Sequence, residues 1–189
     1  MNWFRKISQQ GFLEGYENLS KSFGNIKITG TGANHSINIG GKNLPIRPIL
    51  DQAISQIKQT LIQHGVHTID TGGLSPSIQG LAISSEPGTV HVDVAKIANQ
   101  FHNVMSPIVQ NDGAKMDSDV YNQVVQKISD EIRKELGATT AHEGKHMDDY
   151  KNIYQNWKKN PTQQLNFQQA TEQSAVDFEK SMRSKYFNQ

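Results

Sequence analysis

Apolar residues recur every three or four positions in long stretches of this chain, and alternate with polar ones in the shorter runs between them. Ile49, Leu50, Ala53, Ile54, Ile57, Leu61 and Ile62 share one face at 3.6-residue spacing, and Gly65 stands where a C-terminal cap belongs, so the pattern predicts a helix over 49–62. Three strands are expected next. Residues 66–71 (VHTIDT) read as a short one ending at Gly72-Gly73, and 78–84 and 89–95 as two more joined by the loop SEPG. In the last of these Val90, Val92 and Val94 face one way and His91 and Asp93 the other, which suits a strand with one buried face.

From about Asp117 a second helix is predicted to Glu135, with Tyr121, Val124, Val125, Ile128, Ile132 and Leu136 on its apolar face. Gly137 is read as a break, with Thr139 or Thr140 capping a further helix that runs to about Trp157 and ends at Lys158-Lys159-Asn160-Pro161. A last helix, from about Thr162 to Tyr186, presents Ala170, Ser174, Ala175, Phe178 and Met182 to the core. The first 45 residues carry a weaker pattern. Trp3, Phe4, Ile7 and Phe12 line one side of a short helix that continues through Leu13, Tyr16 and Leu19, and the Gly-rich stretch after it reads as turns and short strands. Residues 1–45 are therefore read as an appended arm, a pro-segment or a segment that docks on a protein partner, and 46–189 as the folded domain.

Composition narrows the function without naming it. A formal net charge of +1 with no charge block gives no footprint for nucleic acid. The absence of cysteine excludes disulfides, thiolate ligands and cysteine nucleophiles. No apolar run reaches the roughly 18 residues needed to cross a bilayer, and the N-terminus lacks the apolar core of a secretory signal. The expectation is a cytoplasmic or assembly-associated protein.

The chemistry lies in residues 142–146, HEGKH. On a helix, His142 and His146 lie one turn apart on one face, which points two imidazoles at one divalent metal. Glu143 sits about 100° around the helix, too far to be a ligand but close enough to hold a water at the metal. A rival reading stands beside it. Thr140-Ala141-His142-Glu143 matches a capping box, in which Glu143 satisfies a backbone donor and serves no chemistry.

A catalytic zinc needs a third protein ligand. Asn152 and Asp149 occupy the positions where the metzincin pattern requires its third ligand and its glycine, so that pattern fails. Glu172-Gln-Ser-Ala175, 26 positions beyond His146 on the last predicted helix, supplies a Glu followed three residues later by a small residue. Glu179, on the same face, and Asp177 are its rivals. The alternative for Glu172 and Glu179 is a solvated stripe with Lys180 and Arg183.

His142-Glu143-x-x-His146 followed by Glu172-x-x-Ala175 resembles a minimal gluzincin-type zinc metallopeptidase of the zincin superfamily. The resemblance implies an α+β, zincin-like fold: a small twisted mixed sheet on a backing helix, the HExxH helix and a C-terminal Glu-bearing helix. It implies that His142, His146 and Glu172 bind Zn2+ and that Glu143 is the general base for hydrolysis of a peptide or protein substrate. It also implies an edge strand that pairs with the substrate, for which 89–95 is the candidate, and an oxyanion donor. Tyr150 is assigned that role, with Tyr154, Tyr186 and His91 as alternatives. Asp149 and Asp177 are the carboxylates considered for orienting the ligand imidazoles. A second class of function is a zincin-fold binding or structural module in a larger assembly, such as a virion or a secretion apparatus. Glu143 separates the two, because a scaffold needs no base beside a metal.

Overall fold

The computed structural model describes residues 11, 13–19, 24–112 and 117–187, with 104–112 described by backbone alone. Trp3, Phe4, Ile7 and Phe12 lie outside the described residues. The elements are a short helix over 13–18 (α1), strand β1 (Lys27–Thr29), a 3-10 turn, the hairpin strands β2 (Ser36–Ile39) and β3 (Lys42–Pro45), helix α2 (Arg47–Gln63), and strands β4 (Thr68–Asp70), β5 (Gly80–Ala82) and β6 (Thr89–Val92). Helices α3 (Val94–Asp112), α4 (Ser118–Lys159) and α5 (Glu172–Met182) complete the chain, which closes on a turn of π-helix over Arg183–Phe187. The architecture is α+β, a small mixed sheet with several helices. Among the described residues no helix is long and apolar enough to cross a membrane.

The main sheet has the order β1-β4-β6-β5. The first three strands are parallel and β5 closes the edge antiparallel to β6. The register aligns Ile28, Ile69 and Val90, and burial of Ile69 and Val90 seats that face of the sheet in the core. Strand 89–95 is therefore not the edge strand. β6 lies between β4 and β5, and the edge strands are β1 and β5.

Residues 27–45 are not an appendage to this core. β1 pairs with β4 in the main sheet, and Ala33, Ile37 and Ile39 are buried in the same cluster as Leu50, Ile69 and Leu136. A boundary at residue 45 would cut through the sheet. The β2–β3 hairpin turns on Gly40 and Gly41, both at positive φ (56° and 86°), which glycine adopts without the strain a Cβ brings.

Helix 49–62 is found as α2, and Gly65 at φ 87° ends it as expected. α3 was not predicted. The strand expected over 89–95 overlaps its first two residues, Val94 and Ala95, but Asp93 stops β6 and caps the helix, its Oδ1 accepting from Lys96 N at 3.0 Å. Val94, Ile97 and Ala98 then follow at helical spacing and are fully buried.

The two central predicted helices are one, the 42-residue α4. Gly137 does not break it. A Cβ there would lie 2.2 Å from Cζ of the buried Phe187, so the missing side chain accommodates the C-terminal turn. Gly144 works the same way inside the motif, since a Cβ would meet Leu61 Cδ2 at 2.8 Å where α2 crosses α4. The last helix begins at Glu172 rather than 162, capped by Thr171, whose side chain accepts from Ser174 N. Ala170 consequently lies outside it.

Candidate metal centre

Continuity of α4 decides how Glu143 is used. His142 sits 24 residues beyond Ser118, in mid-helix, where backbone donors already have partners. Thr140 is no cap, because its Oγ1 donates to Leu136 O one turn back at 2.7 Å. Glu143 is free of the capping role and instead reaches the sheet edge. It is buried, 7 % exposed, and accepts a hydrogen bond from the backbone N–H of Ala82 in β5. Burial pushes its carboxyl up to about 7; the neighbouring His142 pulls the other way, and the charge of Glu172 adds to the rise.

His142 and His146 present Nε2 to the same place, and Glu172 meets both. His142 Nε2 lies 3.0 Å from Glu172 Oε1, and His146 Nε2 lies 3.1 Å from Glu172 Oε2. One ligand atom from each residue falls within 4.8 Å of the others. Tetrahedral zinc with bonds of about 2.0–2.1 Å spaces its ligands about 3.3 Å apart, so the donor set and spacing fit such an ion. Both imidazoles are largely covered, whereas the Glu172 side chain is 72 % exposed, which leaves one side of the group open to solvent.

Glu179 orients the first histidine. Its Oε2 lies 3.0 Å from His142 Nδ1, and its Oε1 accepts from Arg183 Nε at 2.8 Å. Arg183 in turn donates Nη2 to Glu135 Oε2 at 2.8 Å. The chain Glu135–Arg183–Glu179–His142 leaves Nε2 of His142 for the shared point. The hydrogen bond that His142 donates to Glu179 is the main reason the His142 pKa is raised, while burial and the charge of His142 lower that of His146. Nδ1 of His146 is buried without a hydrogen-bond partner.

Glu179 is thus the orienting carboxylate, neither a ligand nor part of a solvated stripe. Asp177 pairs with Gln173 and Lys180 on α5, and Asp149 pairs with Lys145; neither is hydrogen-bonded to the histidines. Of the four candidates for the oxyanion donor, Tyr150 alone lies at the centre. Its ring stacks on His146 with centroids 6.4 Å apart, its hydroxyl donates to Ala82 O at 3.4 Å, and burial raises its pKa. Tyr154 bonds to Glu17, His91 lies between Asp70 and Glu86 on the sheet, and Tyr186 contacts Phe187.

Sequence reasoning missed Gly80 and Ala82. A Cβ at Gly80 would lie 2.7 Å from Glu143 Oε1 and from Thr139 Cγ2, so glycine lets the sheet edge close on the carboxylate. The loop before it is pinned by Asp93 and Lys96. Asp93 Oδ2 accepts from Leu74 N at 2.9 Å, and the Lys96 ammonium donates to Ser75 O and Ile78 O. A glycine inside an apolar run is the one local trace of this approach. Comparison with known proteins finds no matching family model, no similar curated protein and no similar solved structure.

Proposed function

We propose that the chain is a zincin-like zinc metallopeptidase. The observation that carries the reading is the convergence of His142 Nε2, His146 Nε2 and the Glu172 carboxylate beside a buried Glu143 that has no capping role. The order of elements supports it, with the antiparallel edge strand β5 against the motif helix and the Glu-bearing α5 after it.

His142, His146 and Glu172 would hold Zn2+, which supplies Lewis acidity to a carbonyl and brings the pKa of water toward ~7. Glu179 keeps His142 in the tautomer with Nε2 free to ligate. An extended substrate would lie along β5, the antiparallel edge strand beside the motif helix. Glu143, held by Ala82 N, takes the proton from the attacking water and passes it to the leaving amine. Its raised pKa suits both transfers near neutral pH. The Tyr150 hydroxyl, kept protonated by burial, donates to the developing oxyanion.

Metal analysis together with a peptide-library cleavage assay tests the reading. Purified protein should contain about one equivalent of zinc, and Glu143→Gln should retain it while abolishing hydrolysis. A protein that does not take up zinc at neutral pH refutes the site. Zinc binding without hydrolysis in the wild type assigns the chain to the structural class.

A further inference from the structure

A cavity of about 270 Å³ opens between β5 and the part of α4 just before the motif, and His142 and Glu143 form one end of its wall. The other walls are Gln79, Gly80, Glu135, Thr139 and Glu179, none of them an aliphatic or aromatic residue. A hydrophobic side chain would find little apolar area to cover there, whereas most small-molecule pockets are lined by such area.

The walls offer more acceptors than donors, the donors being the Thr139 hydroxyl and the Gln79 amide against three carboxylates. The Gln79 amide donates one N–H to Gln100 Oε1 at 2.7 Å, and its own Oε1 can accept. His142 Nδ1 is engaged by Glu179. Glu135, Glu143 and Glu179 bring three carboxylates against one guanidinium, that of Arg183, which already bridges Glu135 and Glu179. Arg183 takes Oε2 of Glu135 and leaves Oε1. Glu135 stands two helical turns before His142 on the same face of α4, about 10 Å along the axis. A group with donors only and a positive charge is the complement of such walls. A dication held by the histidines would repel that charge from the near end and direct it toward Glu135.

We propose that this cavity is the specificity pocket of the site, and that it takes a lysine or arginine side chain flanking the scissile bond, selected by Glu135. The inference rests on the peptidase reading above and deepens it. Glu143 belongs to both, as the proposed base and as part of the pocket wall, whereas Glu135 reaches the metal site only indirectly, through Arg183 and Glu179.

The test uses the zinc-loaded full chain and two peptide hydroxamates identical except for lysine or norleucine at the position next to the chelating group. Calorimetry gives both affinities, and mass spectrometry of a cleaved peptide library gives the residues on both sides of each cut. The lysine hydroxamate should bind at least about tenfold tighter, with basic residues enriched on one side of the cut. Compared as zinc-loaded proteins, Glu135→Gln, whose amide oxygen still accepts from Arg183, should remove most of that preference, and Glu135→Lys should turn it toward a glutamate-bearing hydroxamate; a preference that survives Glu135→Gln overturns the assignment to Glu135. Equal or tighter binding of the norleucine compound by zinc-loaded wild type overturns the pocket assignment and leaves the peptidase reading standing. That comparison needs no variant to fold. A chain that takes up no zinc, or binds neither compound, overturns the peptidase reading and the pocket with it.

Discussion

Gly80→Ala tests the placement of Glu143 without touching a ligand. The added Cβ would lie 2.7 Å from Glu143 Oε1, 2.8 Å from its Cγ and 2.7 Å from Thr139 Cγ2, where ordinary contact begins at 3.4 Å. Relief requires a shift of roughly 0.7 Å, and Glu143 is the group that must give, because Thr139 is fixed on α4 and β5 is held in register by β6. Glu143 is enclosed, so the shift stretches its bond from Ala82 N and moves the carboxylate off the line to the attacking water. A misplacement approaching 1 Å in a catalytic group costs on the order of 10²-fold in rate. The expected result is a kcat about 100-fold lower, with KM changed far less and zinc content unaltered, since His142, His146 and Glu172 are not displaced. Steady-state kinetics on a fluorogenic peptide and metal analysis of the same preparation measure both. Glu143→Asp in the Gly80→Ala background withdraws the carboxylate by one methylene, so the two losses should be less than additive. A kcat within threefold of wild type would refute the argument that the bare strand edge positions the base.

Three further outcomes follow from neighbouring contacts. Glu179→Gln should weaken zinc binding about 10- to 100-fold by loosening His142, measured by competition with a fluorescent chelator; unchanged affinity would remove Glu179 from the centre. Gly137→Ala should lower stability by about 1–3 kcal/mol through its clash with Phe187, read from urea midpoints, whereas a gain of about 1 kcal/mol, as at an exposed helical glycine, would contradict the packing. His64 is half-buried against Phe178 with its Nδ1 covered and unpartnered, and burial lowers its pKa despite the opposing charge of Asp148; Lys145 and Lys151 lower it further. Its unfolded form therefore binds a proton first, so stability is full above about pH 6.5 and falls as pH drops toward the lowered native value. The melting temperature of His64→Gln should decline less between pH 7.5 and 5.5 than that of wild type, and parallel curves would exclude His64 as the source.

Much of the site was legible because it depends on helical spacing. His142 and His146 share a face by arithmetic, and the run Ala175, Phe178 and Met182 marks the helix that carries Glu172, although its start at the Thr171 cap lies well after the expected 162. What could not be read depends on approach between distant segments. Gly137 looks like a stop from its neighbours alone, and only the arrival of Phe187, 50 positions later, shows it to be a packing gap. β6 and β5 both alternate, and no local feature says which is covered on both sides. The α3 helix was hidden by valines at 90, 92 and 94 that continue a period of two across Asp93, although that aspartate was itself a cap signal.

The same distinction decides what Glu143 is for. A capping box and a base-bearing motif are identical over Thr140–Glu143, and they separate only on whether a helix starts there. Because α4 runs unbroken through Gly137, no backbone donor near Thr140 needs Glu143. The carboxylate is nonetheless buried, and keeping it ionised at neutral pH in that position costs about 3 kcal/mol relative to an exposed glutamate. A scaffold gains nothing from that arrangement, since the Ala82 N–H could be satisfied by water or by an amide. The combination of a helix that does not need this residue and a sheet edge stripped to glycine to admit it is what favours the proposed base over a structural role.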